Sequence, residues 1–355
     1  FSCRLVVLAS GMRGLAGVRR LRVRSFATRT TRGPAIVAWG EGESQVHSLA
    51  WGRVVGAGSF SHVREVKVKR CRESSEEVCA AKCVQRRLCD ANALKLRALK
   101  AAMTDQSSDG RLPPPQDDSA AVAHQAFRRE VAALRLVRGA GGHPHVVELF
   151  THFETATNYV ALITRCGAPL RMREGPVVDE EVARKVVREL LQSLVFLSDL
   201  GIVHGDVHCG NLLWHTESDR GAVLIDFGLA QVAYEDPVPL CGTHPAPEQA
   251  TEPPTFASDV FAVGCSLQSM LFGVDQGLEH TFSSPEHLQQ VFASRRCSDA
   301  SLRSLLEALL AASPSDRPTA REALRHPWCI GARAHSLGGR RGSLQGNGGG
   351  FAATA

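Results

Sequence analysis

The most specific segment of the sequence is VHGDVHCGNLL, residues 203–213, which is followed by LIDFG, residues 224–228. In the first segment Asp206 stands five residues before Asn211, and in the second Asp226 ends an apolar run just before a glycine. Carboxylate and amide oxygens suit Mg²⁺, which proteins hold through few ligands of their own together with phosphates. A further carboxylate can orient an attacking hydroxyl. The two segments therefore predict magnesium-assisted phosphoryl transfer.

A glycine-rich turn lies upstream, at GAGSFS, residues 56–61. It interrupts residues 49–68, whose alternating apolar and polar side chains predict a β-hairpin. Gly56 and Gly58 would let the backbone fold closely over phosphate oxygens. Ser61 replaces the third glycine of a Gly-x-Gly-x-x-Gly pattern. Taken alone, this segment is better explained by an ordinary structural turn.

A lysine follows in an apolar strand, CAAKCV, residues 79–84. A buried charge is costly unless it has partners. For Lys82 a phosphotransferase would supply a triphosphate and a carboxylate, and Glu130 on the following helix is the candidate carboxylate. The alternative is an edge-strand lysine that faces water.

The chain between residues 49 and 330 is rich in strands first and in helices afterwards. Further strands are predicted at residues 78–84, 146–153 and 159–164, and helices at residues 123–137, 182–200 and 260–274. Residues 88–122 are polar and rich in proline, which predicts a partly disordered surface insertion. The face of the first helix that is expected to be buried is formed by Phe127, Val131, Leu134 and Val137.

The positive charge of the chain is concentrated at its ends. The formal charge is +5, but residues 1–40 hold eight Arg and no acid, and residues 331–355 hold three Arg and no acid. The body between them is therefore net negative, and nothing in it predicts a nucleic-acid-binding face. Residues 1–40 have the composition of a transit peptide, the alternative being a disordered basic tail, and in either case they are expected to lie outside the fold. Residues 331–355 predict a disordered tail rich in Gly, Ser and Arg.

The remaining composition is that of a globular protein, with 44% hydrophobic and 22% charged residues. The longest apolar stretch, residues 260–274, is too short and too polar to span a membrane and is interpreted as a buried helix. The 11 Cys are scattered, with no Cys-x-x-Cys pair and no zinc-ligand spacing. They predict free thiols in a reducing intracellular compartment, either cytoplasm or nucleus, or an organelle if residues 1–40 are a transit peptide. Oligomeric state is not encoded in any of these patterns.

These segments together resemble the eukaryotic protein kinase family, and the likeness covers residues 49–330. Three later segments also match: CGTHPAPE at residues 241–248, SDVFAVG at residues 258–264, and Asp316-Arg317-Pro318. The resemblance implies an α+β, bilobal kinase-like fold. A small antiparallel sheet with one helix would form the N-lobe, residues 49–164, and a larger, mainly helical C-lobe would span residues 167–330.

The resemblance also implies the roles of individual residues toward ATP and Mg²⁺. Asp206 would be the catalytic base, Asn211 and Asp226 the magnesium ligands, and Lys82, positioned by Glu130, would hold the α- and β-phosphates. The loop that covers the phosphates would comprise Gly56, Ala57, Gly58, Ser59, Phe60 and Ser61. The adenine would lie between Val63, Ala80 and Leu213, next to backbone groups of Thr164 and Cys166 and behind Ile163.

Four further residues, Leu134, Leu149, His204 and Phe227, would form a packed column that aligns the lobes and is anchored on Asp259. In the family, the residues matching Glu248 and Arg317 form an ion pair. The implied activity is that of an ATP- and Mg²⁺-dependent protein serine/threonine kinase, whose partner is a protein substrate with a Ser or Thr hydroxyl.

The catalytic loop departs from the family pattern at two positions. Gly205 replaces the Arg that neutralises a phosphorylated activation loop, which predicts activity without loop phosphorylation. His208 replaces a Lys that touches the γ-phosphate, which would lower turnover or favour acidic pH if His208 has to be charged. The segment with His244 and Pro245 is also shorter than the family's peptide-docking loop.

Two other functions fit part of the pattern. The segment at residues 204–211 also resembles the catalytic loop of aminoglycoside and choline phosphotransferases, but those enzymes lack counterparts of Glu248 and Arg317. A pseudokinase scaffold would fit Gly205 and His208, but a protein that only binds need not keep Lys82 or Asp206. The sequence therefore favours a protein kinase.

Overall fold

The computed structural model describes residues 35–39, 46–57, 61–70, 76–85, 118–155, 158–169, 178–215, 221–233, 242–273 and 299–331. The first part of the chain forms a six-stranded antiparallel sheet with the order β1-β2-β3-β4-β6-β5. Its strands are β1 (Ala35–Trp39), β2 (Val46–Ala57), β3 (Ser61–Arg70), β4 (Glu76–Gln85), β5 (Leu149–Glu154) and β6 (Asn158–Thr164).

Strand β4 lies inside this sheet and is buried on both faces. Successive side chains of a strand point to opposite faces, so Cys79, Ala81 and Cys83 join one apolar cluster, whereas Ala80 and Val84 join another. By the same alternation, the Lys82 side chain points to the face of Ala80 and Val84. That face is covered by helix α1 (Asp118–Gly139), which packs against β4 and β5.

The second part of the chain is mainly helical. Helix α2 (Glu180–Asp199) packs against α3 (Phe256–Phe272), and the remaining helices are α4 (Ala300–Leu309), α5 (Ala320–Ala323) and α6 (Pro327–Ile330). Short strands form two small sheets: β7 (Ala168–Pro169), β9 (Leu212–His215) and β10 (Gly221–Leu224) in one, and β8 (Ile202–Val203) with β11 (Gln231–Val232) in the other. Three 3₁₀ turns complete the described part, at Cys209–Asn211, Pro247–Ala250 and Pro314–Asp316.

The two parts meet next to the segment between α1 and β5. The Val147 N–H donates to the Leu224 carbonyl at 3.0 Å, and the Leu224 N–H donates to the His145 carbonyl at 2.9 Å. The larger apolar cluster continues across this junction, from α1 and β6 to α2 and α3. The strand that leads to Asp226 is thereby fixed relative to the sheet that carries Lys82.

The predicted α+β, bilobal architecture is confirmed. All four residues of the expected apolar face of α1, which are Phe127, Val131, Leu134 and Val137, are buried. The apolar stretch that starts at Val260 is a buried helix in its described part, since α3 ends at Phe272. None of the helices in the described ranges is both long enough and apolar enough to cross a bilayer.

Several predicted boundaries were wrong. Residues 35–39 belong to the sheet as β1, although residues 1–40 were expected outside the fold, because β-branched and aromatic residues favour a strand there. Helix α1 begins at Asp118, inside the predicted insertion of residues 88–122, since an acidic first turn and alanines favour a helix. Strand β5 begins at Leu149, three residues late, because Val146 instead forms an isolated parallel bridge with Leu224.

Some predictions concern residues outside the described ranges. They include the two tails at residues 1–34 and 332–355 and most of the insertion, residues 88–117. Gly58, Ser59 and Phe60 of the glycine-rich turn also fall outside, so the structure describes the two strands that lead into this turn but not its tip.

Candidate active site

The loop between β8 and the Cys209–Asn211 turn is held by a carboxylate from α3. Asp259, which is only 3% exposed, accepts hydrogen bonds from the His204 N–H at 2.7 Å and the Gly205 N–H at 2.9 Å. Helix α3 places Asp259 in its first turn, four residues after the N-cap Thr255. Burial raises the pKa of Asp259 to about 7, against the lowering effect of the two N–H donors. The expected anchoring of this loop on Asp259 is present.

The expected packed column beside this loop is also present. The rings of His204 and Phe227 meet edge to face with centroids 4.7 Å apart, and Leu134, Leu149 and Phe227 belong to one buried cluster. His204 is fully buried, and burial lowers its pKa to about 4. A neutral imidazole therefore joins the apolar column.

Asp206 lies at the centre of a network of hydrogen bonds. Its Oδ1 accepts from the Thr243 N–H at 2.7 Å, and its Oδ2 accepts from Asn211 Nδ2 at 3.2 Å. Burial alone would raise the pKa of Asp206, but the His208 imidazole and the hydrogen bonds from Thr243 hold it well below its usual range. The side chain is still 20% exposed, so an ionised carboxylate with remaining acceptor capacity faces the cleft.

Lys82 lies between two carboxylates. Its Nζ is 2.8 Å from Glu130 Oε1 and 2.5 Å from Asp226 Oδ1. The side chains of Lys82 and Glu130 are 9% and 2% exposed, whereas that of Asp226 is 41% exposed. Burial alone would lower the pKa of Lys82, but the charges of Asp226 and Glu130 raise it above the ordinary value for Lys. A fixed cation thus stands beside a carboxylate that is open to the cleft.

The backbone of Asp226 is strained. Among the described residues it is the one non-glycine residue with a positive φ, at 64°. Such a conformation costs about 1–3 kcal/mol. Local contacts stabilise it, because Oδ1 accepts from the Gly228 N–H at 3.2 Å and from Lys82. The strain points the carboxylate away from its strand and toward Lys82.

The oxygen atoms that remain suit Mg²⁺. The Asn211 Nδ2 donates to the Asp206 carbonyl at 2.9 Å, which fixes the orientation of the amide and leaves Oδ1 as the atom able to bind a cation. In Asp226, Oδ1 is used by Lys82, which leaves Oδ2. One amide oxygen and one carboxylate oxygen match the few hard ligands that Mg²⁺ takes when phosphates and water complete its shell. Within the described ranges, no cluster of three or more His, Cys, Asp or Glu residues could hold a metal by itself.

Of the residues expected around the adenine, Val63 and Ala80 lie on paired strands of the six-stranded sheet, whereas Leu213 lies in the three-stranded sheet. Val63 on β3 pairs with Lys82, and Ala80 on β4 pairs with Ile163. Leu213 on β9 pairs with Pro169, which follows the segment from Thr164 to Cys166. The Thr164 N–H donates to the Glu148 carbonyl at 2.9 Å, so this residue would offer its carbonyl to a base. Gly56 and Ser61 lie at the facing ends of β2 and β3, and Ala57 is the last residue of β2.

At two positions of the site the backbone geometry requires a glycine. Gly205 has a φ of +77°, and a Cβ there would lie 2.8 Å from the Leu229 carbonyl oxygen. Gly242 approaches so closely that a Cβ would lie 2.3 Å from the Gly205 carbonyl oxygen. With the bond from Thr243 to Asp206, this approach joins the segment at residues 242–243 directly to the catalytic loop. No motif or periodicity in the sequence predicts the contact between Thr243 and Asp206.

Glu189 is a second positioning residue that the sequence analysis missed. It is 8% exposed on α2 and accepts from the Ala222 N–H at 2.7 Å, which holds β10, the strand that leads to Asp226. The available signal was a carboxylate among the apolar positions of α2.

The ion pair expected between Glu248 and Arg317 is formed and buried. Both guanidinium Nη atoms of Arg317 lie 2.7 Å from a Glu248 oxygen. Their side chains are 0% and 8% exposed, and the Arg317 guanidinium also lies 4.8 Å from the centroid of the Phe261 ring. This contact connects the segment after Thr243 to the helices of the second part.

Comparison with known proteins extends these observations. The family model described as "Protein kinase domain" matches residues 113–329, more than half of the chain. A probable myosin light chain kinase from Dictyostelium discoideum is 29% identical over 232 residues, which are 60% of this chain and 73% of that protein. The serine/threonine-protein kinase plk-1 of Caenorhabditis elegans is 32% identical over 196 residues, which are 52% of this chain and 30% of that protein.

A calcium and calcium/calmodulin-dependent serine/threonine-protein kinase from Lilium longiflorum is 27% identical over 299 residues, which are 79% of this chain and 56% of that protein. The chain thus spans about half or less of the length of two of these three relatives. Two of these relatives are named serine/threonine-protein kinases and the third a probable myosin light chain kinase, and they do not favour the small-molecule phosphotransferase or the scaffold.

Proposed function

The chain belongs to the protein kinase family, of the serine/threonine type, and on this premise we propose that it transfers the γ-phosphate of ATP to a serine or threonine hydroxyl of a protein. The observation that carries the proposal is a set of contacts: Lys82 binds Asp226, Asn211 binds Asp206, and the Ile225 N–H next to Asp226 donates to the Asn211 carbonyl. Members of this family generally use ATP and Mg²⁺. The metal would neutralise charge on the phosphates when it is bound.

Each active-site residue then has a distinct role in the transfer. Lys82, charged and held by Glu130, binds phosphate oxygens of the nucleotide. Asn211 and Asp226 offer one oxygen each to the metal, and their positions are fixed by Asp206 and Lys82. Asp206 accepts a hydrogen bond from the substrate hydroxyl and takes its proton as the transfer proceeds. Most of the rate gain comes from fixing donor and acceptor in line and from prearranged charge.

The acceptor is tested by comparing three classes of compound. We expect Mg²⁺-dependent labelling of a generic protein acceptor such as casein or a basic peptide, with no transfer above background to amino sugars or to choline. Transfer only to the small molecules would favour the aminoglycoside-type alternative. ATP binding without any transfer would favour the scaffold. The buried Glu248–Arg317 pair supports the protein acceptor, because small-molecule phosphotransferases lack counterparts of these residues.

We propose further that activity does not depend on phosphorylation of the activation segment. Gly205 provides no guanidinium for a phosphate, and its positive φ and the nearby Leu229 carbonyl disfavour any side chain there. The Thr243 N–H already donates to Asp206 in the unphosphorylated chain. Treatment with a broad-specificity phosphatase, checked by mass spectrometry, is expected to leave turnover within about twofold of the untreated enzyme, since no buried contact is lost. A loss of tenfold or more, recovered on rephosphorylation, would contradict the proposal.

A reducing intracellular compartment also remains a proposal. It is supported by four buried thiols among the described residues, Cys83, Cys209, Cys265 and Cys329.

A further inference from the structure

His208 stands where the family has a lysine, but its ring makes a contact that no lysine can make. The Gly210 N–H donates to His208 Nδ1 at 3.0 Å, so the imidazole serves as the N-cap of the Cys209–Asn211 turn. Lysine has three donors and no acceptor. In this chain the position therefore accepts a backbone hydrogen bond at the start of the turn that ends in Asn211.

The hydrogen bond from the Gly210 N–H determines which ring nitrogen of His208 carries the proton. A backbone N–H can only donate, so Nδ1 must carry its lone pair while the bond persists. In the neutral ring the proton is then on Nε2, which faces Asp206 Oδ2 at 3.6 Å. This distance exceeds a hydrogen bond but places the positive end of the N–H toward the carboxylate. The arrangement argues against the expectation that His208 acts as a charged contact to phosphate.

Gly210 is matched to this ring. A Cβ at position 210 would lie 2.6 Å from Cε1 and 2.8 Å from Nδ1 of His208, so the ring fits only over a residue without a side chain. The turn is tightened further by the Asn211 N–H, which donates to the His208 carbonyl at 2.9 Å. Two residues thus fix the backbone that presents Asn211, one by its side chain and the other by having none.

We propose that His208 and Gly210 form a matched pair that positions Asn211, and that His208 is a positioning residue and not a phosphate-binding cation. This inference rests on the proposed function, because Asn211 matters only if the turn serves a metal–nucleotide complex. The cap holds the turn, the turn holds Asn211, and Asn211 Nδ2 in turn holds the backbone and carboxylate of Asp206. Loss of the cap would therefore weaken Mg²⁺ binding, and turnover would fall as a consequence.

The first test needs no nucleotide, and its one variant serves only to assign the His208 signals. Nitrogen-15 NMR of histidine-labelled protein in mildly alkaline buffer would report both ring nitrogens, with the His208 signals identified among the 14 His by their loss in His208→Asn. We expect an unprotonated, hydrogen-bonded Nδ1 and a protonated Nε2. A protonated Nδ1 would overturn the proposal even if the chain is an active kinase. The expected spectrum in a chain without ATP turnover would instead reject the proposed function alone.

The second test uses three variants that distinguish a positioning role of His208 from a phosphate-binding role. His208→Lys keeps a donor but loses the acceptor, Gly210→Ala displaces the ring, and His208→Asn keeps an acceptor that is favourable at an N-cap. At saturating ATP, we expect His208→Lys and Gly210→Ala to raise the apparent Mg²⁺ constant about 10–100-fold, the usual effect of losing a residue that supports a metal ligand. We expect His208→Asn to stay within about threefold of wild type, since the cap is kept. Wild-type Mg²⁺ dependence and turnover in His208→Lys would show that the position binds phosphate as a cation.

Discussion

Replacing Asp206 with Asn is expected to lower the turnover number by about 10²–10⁴-fold, the range for a positioned acid–base group. Asparagine is isosteric, and its Oδ1 can still accept from the Thr243 N–H, while the Asp206 carbonyl still accepts from Asn211 Nδ2. One contact is lost, the 3.2 Å hydrogen bond from Asn211 Nδ2 to the replaced Oδ2. Its amide cannot take a proton from the substrate hydroxyl. The loss should therefore fall on turnover, and the KM for ATP should change little. Steady-state kinetics with a protein acceptor measure both constants.

The matched control for this variant is Asp199→Asn. Asp199 lies at the end of α2, is 61% exposed, and pairs with the exposed Arg321. The substitution Asp199→Asn removes the same charge far from the active site, so turnover should stay at the wild-type level. Phosphorylation by Asp206→Asn at a rate similar to wild type would remove Asp206 from the mechanism.

Replacing Arg317 with Met is expected to lower the free energy of unfolding by about 3–5 kcal/mol, as for other buried ion pairs that lose one partner. The guanidinium donates to both Glu248 oxygens and to the carbonyls of Ala257, Ala311 and Ala312. Methionine fills part of the volume but leaves a buried carboxylate and these carbonyls without their donors. Since whole domains are stable by only about 5–15 kcal/mol, the change should be large in urea unfolding followed by circular dichroism.

Arg321→Met provides the comparison on the surface. Its ion pair with Asp199 is exposed on both sides, at 56% and 61%, and exposed pairs contribute about 0–1 kcal/mol. If Arg317→Met does not fold, the double variant Glu248→Leu with Arg317→Met should recover stability, because it leaves no unpaired buried charge. Equal losses for Arg317→Met and Arg321→Met would mean that the buried pair does not stabilise the fold.

The features that the sequence predicted well are those that local chemistry encodes. The spacing of Phe127, Val131 and Leu134 follows the helical repeat, so it identified the buried face of α1. The cost of a charge in an apolar strand indicated that Lys82 needs partners, and the structure supplies Glu130 and Asp226. The magnesium ligands could be proposed because their oxygen chemistry and order along the chain are specific.

The features that the sequence did not predict depend on contacts between distant segments or on single backbone angles. The bond from Thr243 to Asp206 joins two loops, and no periodicity reports such a contact. The positive φ of Asp226 is uncommon for any residue other than glycine; Asp tolerates it better than most residues, so propensity permits this angle but does not predict it. The cap from His208 to Gly210 is local, but it was hidden because likeness to the family suggested a role for a cation at this position.

Lys82, Asp206, Asn211 and Asp226 are expected to bind one complex of ATP with Mg²⁺. Calorimetric titration of the chain with a non-hydrolysable ATP analogue, in Mg²⁺ and in chelator, tests this for wild type and for Asp226→Asn. We expect Mg²⁺ to tighten binding to wild type at least about tenfold and Asp226→Asn to lose most of this gain, since it removes one of two protein ligands. Binding that is absent, or that is the same with metal and with chelator, would contradict it.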